Sequence, residues 1–283
     1  MRALAASIEE VFREAAARWT LIAYFALSSL FIVVFALAVN LDVVNGALAG
    51  ARLFGRSVEM SREFSIERVV LGFESGFSGF LFVIGTFLAL FATAHLVPRL
   101  QEKGTIDLYL SRPVGRVPLL LSRYLAGLAL AAANLAYLIL SMWLIVVWKT
   151  HVAHPRFLAG GAVILFTIAV LLAFAFLVGV VTSSTGVSLM ATFAVFCFAF
   201  MIAAHDRIAA AVSTQTAATI VHGVYWVLPK SAELLRATVS LVSGGQMSGR
   251  LPPVDALTAY GSSFLFGAGS LGLASWLFSR KDF

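Results

Sequence analysis

The chain has little charge for its length. Only 12% of its 283 residues are Asp, Glu, Lys or Arg, whereas soluble domains carry about 25%. Hydrophobic residues make up 60% of the chain, which is more than a water-soluble fold of this length could bury. The shortage of charge therefore excludes a soluble globular protein and predicts an all-α integral membrane protein, with lipid as the solvent for much of its surface.

Cysteine is represented by one residue, Cys197, inside an apolar run. A single cysteine excludes an internal disulfide and a multi-cysteine metal site. The sequence also contains no Gly-Lys pair, so it has no phosphate-binding P-loop. Residues 242–246, Val-Ser-Gly-Gly-Gln, differ by one letter from an ATPase signature peptide, but we interpret them as a glycine-rich turn. We therefore expect that the chain is not an enzyme.

Six stretches are apolar enough to cross a bilayer as helices of about 20 residues. They are 20–39, 77–97, 119–148, 157–182, 187–204 and 257–278. Residues 183–186 are all that separate the fourth stretch from the fifth, which predicts a tight helical hairpin. The sequence therefore predicts a six-span domain over residues 20–283.

The first 19 residues have a different pattern. Apolar residues such as Leu4, Ile8 and Val11 recur at helical spacing, and Glu9, Glu10, Arg13 and Glu14 lie largely off that face. The segment 1–19 is therefore predicted to be an amphipathic helix on the cytoplasmic membrane surface. The alternative is a helix packed on a soluble partner. The apolar run that follows is too long for a cleaved signal peptide, so we expect a retained anchor.

The distribution of Lys and Arg predicts the orientation. An even number of spans places both termini on one side, and that side and the opposite side each receive ten basic residues. The terminal side has about half as many residues in its loops, so its basic density is about twice as high, mainly at 99–123 and 280–281. We therefore predict that both termini are cytoplasmic and that the protein is a multi-pass protein of a bacterial or archaeal inner membrane.

Two long segments are then placed outside. In residues 40–76, apolar residues from Ile66 to Phe73 are spaced as in a short amphipathic helix leading to the second span. In residues 205–255, an apolar stretch at 217–228 is followed by Pro229, and 231–242 can form another short helix. We interpret the second segment as an interfacial or re-entrant helical pair. A seventh span is the alternative and would place the C-terminus on the other side.

The cytoplasmic segment 99–116, Arg-Leu-Gln-Glu-Lys-Gly-Thr-Ile-Asp-Leu-Tyr-Leu-Ser-Arg-Pro-Val-Gly-Arg, has the pattern of a short, separately bounded helix. Gly104 permits a sharp turn, Thr105 can act as an N-cap, and Pro113 ends the helix. Such a helix exposes Ile106, Leu108, Tyr109 and Leu110. An apolar helix between two spans can be gripped by a soluble partner, although a plain turn with a basic rim is the alternative.

This segment carries a resemblance to a known family. Glu102, Gly104, Thr105 and Ile106, followed by Leu110, Pro113, Arg116 and Arg123, resemble the coupling-helix segment of type-2 ABC exporter permeases, many of which have lysine in place of Arg123. Residues 225–229, Tyr-Trp-Val-Leu-Pro, resemble the outer Y-x-x-P region of the branch that includes copper-enzyme maturation permeases, with one additional residue here. The resemblance extends over the architecture of nearly the whole chain but is specific in about 25 residues.

The resemblance implies partners and a role for the segment. The residues implied to contact a separate ABC ATPase are Glu102, Gly104, Thr105, Ile106, Leu108, Tyr109, Leu110, Pro113 and Arg116. A second permease copy, identical or different, and membrane lipid are the other expected partners, without nucleic acid. ATP and Mg²⁺ would bind the ATPase, and this chain would hold no cofactor. The alternative function is a non-transporting scaffold or mechanotransmission subunit bound to an ABC ATPase.

Few other residues suggest chemistry. Asn134 in the third span is predicted to bond a neighbouring helix, with substrate binding as the alternative. His151 and His154 share a short loop that has no cysteine or carboxylate, so no metal site is predicted there. The near absence of ionisable residues at mid-span disfavours ion-coupled transport and an intramembrane enzyme.

Overall fold

The computed structural model describes residues 19–44, 47–53, 56–58, 66–101, 115–211, 214–245 and 255–281. The predicted surface helix at 1–19 lies outside these ranges apart from its last residue. Helices dominate the described chain. They are α1 (Trp19–Ala38), α2 (Ile66–Thr93), α3 (Leu96–Leu100), α4 (Arg116–Thr150), α5 (Arg156–Thr182), α6 (Thr185–Ile202), α7 (His205–Ala211), α8 (Gln215–Val227), α9 (Ser231–Val242) and α10 (Ala256–Arg280).

Five of the six predicted apolar stretches lie mainly on one long helix, α1, α4, α5, α6 or α10, whereas 77–97 covers the end of α2, the turn at 94–95 and the start of α3. The largest difference is at α2, which begins at Ile66 rather than near residue 77, because the predicted amphipathic helix continues unbroken into the apolar stretch. The prediction placed a boundary where polarity changes. A change of polarity does not end a helix, and no proline lies between Ile66 and Val97 to do so.

Four helical stretches within the described residues are long and apolar enough to cross a membrane. They are Val70–Leu100, Arg116–Thr150, Arg156–Thr182 and Thr185–Ile202. Ile22–Leu37 in α1 is a shorter apolar helix. Helix α10 has 25 residues, which gives it a length of about 37 Å, but serine and glycine interrupt its apolar sequence.

A small antiparallel sheet occupies part of the long segment between α1 and α2, where no strand was predicted. Its strands are β1 (Val39–Val44), β2 (Ala47–Leu53) and β3 (Arg56–Val58), in the order β1-β2-β3. Val39 pairs with Leu53, and Leu53 pairs with Arg56. Polar Asn40 and Asp42 alternate with apolar neighbours along β1, which is the strand signal that the all-α prediction overlooked.

Helix α5 lies at the centre of the bundle and packs against α2, α4, α6, α9 and α10. Lipid is as apolar as leucine, so close packing rather than the hydrophobic effect must hold these helices together. Glycines allow neighbouring helices to approach α5 closely. A Cβ atom at Gly160 of α5 would meet Val242 of α9, and one at Gly267 of α10 would lie 3.2 Å from the Val170 Cα atom of α5.

The segment that was interpreted as a helical pair contains two short helices, α8 and α9, separated at Pro229. These helices have 13 and 12 residues, or about 20 Å each, which is short of a hydrocarbon core of about 30 Å. Helix α9 packs on α5 and α2, whereas α8 lies over α7 and α6. Neither helix is by itself long enough to cross the hydrocarbon core.

Lys230 fixes the junction between these two helices and is 2% exposed. Its ammonium group donates to the Tyr225 carbonyl oxygen and lies 3.2 Å from the centroid of the Tyr225 ring. Its backbone N–H donates to Ser263 Oγ of α10 at 3.0 Å. Burial lowers the pKa of Lys230 to about 8, since desolvation disfavours the charged form.

The close approach of α5 and α10 generates a prediction. Replacing Gly267 with valine should destabilise the protein by about 1–3 kcal/mol, because the Val170 backbone cannot move aside as a side-chain end can. Gly269→Val is the matched control, since a Cβ atom at Gly269 has no neighbour within 4 Å. Thermal unfolding of both purified variants in detergent measures the difference, and equal unfolding temperatures would contradict the packing argument.

Candidate functional site

The structure describes both ends of the predicted coupling segment. Of the nine predicted coupling residues, Arg116 is described, and it begins helix α4. The other eight, Glu102, Gly104, Thr105, Ile106, Leu108, Tyr109, Leu110 and Pro113, lie outside the described residues. The bordering residues are Gln101, directly after α3, and Gly115.

The first end is tied to the turn between α5 and α6. The Gln101 side-chain amide donates from Nε2 to the Gly179 carbonyl oxygen at 2.9 Å, and its Oε1 accepts from Ser183 Oγ at 2.8 Å. The approach is close because Gly179 has no side chain: a Cβ atom there would lie 3.3 Å from Pro98 Cδ of α3. Ser183 has a left-handed φ of 53°, which lets two residues reverse the chain between α5 and α6.

Lys281, directly after α10, also binds to the turn between α5 and α6. Its ammonium group donates to the Val180 carbonyl oxygen at 2.8 Å, to Ser183 Oγ at 2.9 Å and to Gln101 Oε1. Carbonyl groups in the last turn of a helix lack intrahelical donors, and a cation there also interacts favourably with the helix dipole. Lys281 therefore satisfies a carbonyl oxygen at the C-terminal end of α5.

The second end of the segment is tied to the end of α10. Arg116 donates from Nη1 to the Lys281 carbonyl oxygen at 2.7 Å and to that of Ser279 at 3.3 Å. These carbonyls form the terminus of α10, so the guanidinium group satisfies acceptors that the helix leaves open. Arg123, one to two turns further along α4, is buried.

We name Gln101, Arg116, Ser183 and Lys281 the loop-anchor cluster. It links the two chain ends that border residues 102–114 to the α5–α6 turn and to the end of α10. Its side chains are an amide, a guanidinium, a hydroxyl and an ammonium, and the two cationic groups would repel a metal ion. The ammonium donates three hydrogen bonds, so Lys281 has no free lone pair with which to activate the Ser183 hydroxyl as a nucleophile. The cluster therefore attaches these chain ends to one another through hydrogen bonds.

The sequence analysis identified Arg116 but not the other members of the cluster. Gln101 and Lys281 are 180 positions apart, so no local pattern connects them. The available signal was topological: an even number of spans brings the 99–116 segment, the 183–186 turn and the C-terminus to one end of the bundle. Polar residues at those three places could have been expected to meet.

Asn134 is fully buried in α4, and its Oδ1 accepts from Ser28 Oγ of α1 at 2.9 Å. This contact is the interhelical hydrogen bond that was predicted. Its Nδ2 is buried without a partner among the described residues. The bond holds α1 against α4 at mid-depth, where a polar side chain without any partner would be costly.

The remaining candidates lie at the opposite end of the bundle. His154 Nδ1 is 3.1 Å from Glu74 Oε2 of α2, a carboxylate that the inspection of the short loop alone did not include. His151 is exposed and follows α4 with a left-handed φ of 54°. Gly244 and Gly245 have φ values of 60° and 80° after α9, which agrees with the predicted glycine-rich turn.

Comparison with known proteins gives one family. The model of the ABC-2 family transporter protein matches residues 8–283, which is nearly the whole chain. The match does not test the predicted likeness to the copper-enzyme maturation branch. No curated protein matches the chain.

The loop-anchor cluster generates a prediction. Lys281→Met should lower the free energy of unfolding by about 1 kcal/mol, because it removes hydrogen bonds from Gln101, Val180 and Ser183. Gln101→Ala should then cost less in the Lys281→Met background than in the wild type, because the two residues share a bond. Unfolding in detergent measures all four combinations.

Arg280→Met is the control, since the Arg280 guanidinium lies over the Trp276 ring, 4.4 Å from its centroid, outside the cluster. Strictly additive effects of the Gln101 and Lys281 substitutions would show that the two side chains do not interact in solution.

Proposed function

Because this chain belongs to the ABC-2 transporter family, we propose that it is the permease subunit of an ATP-binding-cassette exporter, driven by a separate ATPase. The family match makes it a multi-pass membrane protein. The coupling to the ATPase is the proposal. The observation that carries it is the loop-anchor cluster, because a segment that transmits force must be firmly attached at both ends.

The contacts define what a push on residues 102–114 would move. Through Gln101 the force reaches the α5–α6 turn, and through Arg116 it reaches α4 and the end of α10. Lys281 joins these two routes. A partner gripping the segment would therefore act on several helices at once, including the central helix α5, rather than bend a single loop.

The mechanism follows from that attachment. Two permeases pack together, and each binds one ATPase through its coupling segment. ATP and Mg²⁺ bind the ATPase pair and stabilise its closed form. The coupling segments follow this closure and shift the bundles between inward-facing and outward-facing states, a population shift driven by the differential affinity of ATP for the two states. This chain then needs no cofactor or catalytic residue of its own.

We propose six spans, with α1 and α10 added to the four helical stretches that meet the length and apolarity of a span. This arrangement places the loop-anchor cluster at the cytoplasmic end and the small sheet and outer helical pair at the outer end. Supporting it, Gln101, Ser183 and Lys281 contact one another directly, and six spans place all three residues on the same side of the membrane. The basic residues of this end, among them Arg99, Arg116 and Lys281, agree with a cytoplasmic location in an inner membrane.

A non-transporting subunit that uses the same contact with an ATPase is the second candidate. The packing of the described bundle favours this second candidate, because fully buried apolar side chains such as Leu171, Leu172 and Phe176 fill the space around α5. A substrate path would therefore run between two copies rather than through one. ATP-dependent release of a labelled cargo from proteoliposomes separates the two functions.

The coupling proposal is tested by co-purification with an ABC ATPase of the same genome. Leu108→Asp places a charge on the apolar tip of the predicted coupling helix and should reduce the recovered ATPase at least tenfold. Ala153→Asp makes a matched change in an exposed loop residue at the opposite end and should leave recovery unchanged. Recovery of no ATPase with the wild type, or equal recovery with both variants, would overturn the proposal.

The orientation is tested by cysteine accessibility in a Cys197→Ser background, which is free of cysteine. Gly186 and Ala153 are both exposed, at opposite ends of the bundle. A membrane-impermeant maleimide added to intact cells should label Ala153→Cys, and it should label Gly186→Cys only after permeabilisation. The reverse pattern would place the coupling segment outside, where an ATPase cannot reach it.

A further inference from the structure

Two histidines and an aspartate meet at the end of the bundle opposite the loop-anchor cluster. His205 and Asp206 begin α7, and His222 comes from α8. Each offers one potential metal-ligand atom, and the three atoms lie within 4.8 Å of one another. The two histidines are 17 positions apart and lie on different helices, unlike His151 and His154, which share one loop.

The His205 ring is held in place by its surroundings. It stacks on the Tyr225 ring with centroids 3.7 Å apart and an angle of 16° between planes, and it meets the His222 ring edge-on at 5.2 Å. Its Nε2 is 3.3 Å from Asp206 Oδ1. Its Nδ1 is buried and has no hydrogen-bond partner among the described residues. The ring is therefore positioned precisely while half of its hydrogen-bonding capacity is unused.

These ligand types match the preferences of one class of ion. Zn²⁺ binds imidazole nitrogen and carboxylate oxygen at about 2.0–2.2 Å, and a site with three protein ligands takes water as its fourth. Tetrahedral geometry at that distance places the ligand atoms about 3.3–3.6 Å apart, so two atoms as far apart as 4.8 Å would have to approach by about 1.2–1.5 Å. His205 Nε2 and Asp206 Oδ1 are already 3.3 Å apart, so the approach falls mainly on His222.

We propose that His205, Asp206 and His222 bind a divalent transition-metal ion of the Zn²⁺ type, with one ring nitrogen from each histidine and the Asp206 carboxylate as ligands. The ion would link α7, which follows the end of α6, to α8, which continues into α9. Since α9 packs on α5 and α2, the metal would fasten the outer helical pair to the bundle. The site is independent of any ATPase.

The test uses the full chain, purified in detergent with an affinity tag that contains no histidine. After chelator treatment and exchange, ZnCl₂ is titrated in by calorimetry. The wild type should bind one Zn²⁺ per chain, and His222→Gln and Asp206→Asn should each weaken binding at least tenfold. His151→Asn is the control, because it removes another exposed histidine while keeping a residue that tolerates the left-handed conformation.

Folding of each variant is checked in the absence of zinc by gel filtration and thermal unfolding. Zinc should raise the unfolding temperature of the wild type and of His151→Asn, and it should not raise that of His222→Gln, because an ion that binds only the folded chain stabilises it. The absence of saturable binding, or equal affinity in the wild type and His222→Gln, overturns the proposal. Neither result bears on the coupling to an ATPase.

Discussion

The hydrogen bonds made by Lys281 join parts of the chain that share no local sequence. Its ammonium group contacts the end of α5, the turn into α6 and the residue that borders the coupling segment, while its backbone carbonyl oxygen accepts from Arg116. Helix ends leave carbonyl groups without donors, and each must find a partner where the bundle meets water. Here that requirement is met by side chains at the two borders of residues 102–114. The same hydrogen bonds therefore satisfy the helix ends and hold those borders in place.

The helices could be predicted from the sequence because the bilayer imposes their length. Apolar runs of about 20 residues located all six long helices, and the bounds of α1 and α5 agree with the prediction to within one residue. The start of α2 could not be located in this way, since its first turns are amphipathic rather than apolar. The sheet was missed because its short strands lie among charged residues, where the alternation is easily overlooked.

The site was predictable only in part, for a different reason. The pattern on which the coupling prediction rests is local, because Gly104, Thr105 and Pro113 lie within ten residues of one another. The partners of the segment are not local: Gln101 meets Ser183 and Lys281 only after the bundle has formed. The same holds for His205 and His222 at the other end. Contacts between loops depend on the order of the helices in space, which periodicity and composition do not contain.

The helices on the two sides of residues 102–114 differ in continuity. Toward the C-terminus, α4 runs from Arg116 through 35 residues without interruption, a rod of about 52 Å. Toward the N-terminus, α3 has five residues, and a turn at Ala94 and His95 separates it from α2. A displacement of residues 102–114 would therefore reach one uninterrupted helix on the C-terminal side, and on the N-terminal side it would first reach a short helix that a turn divides from α2.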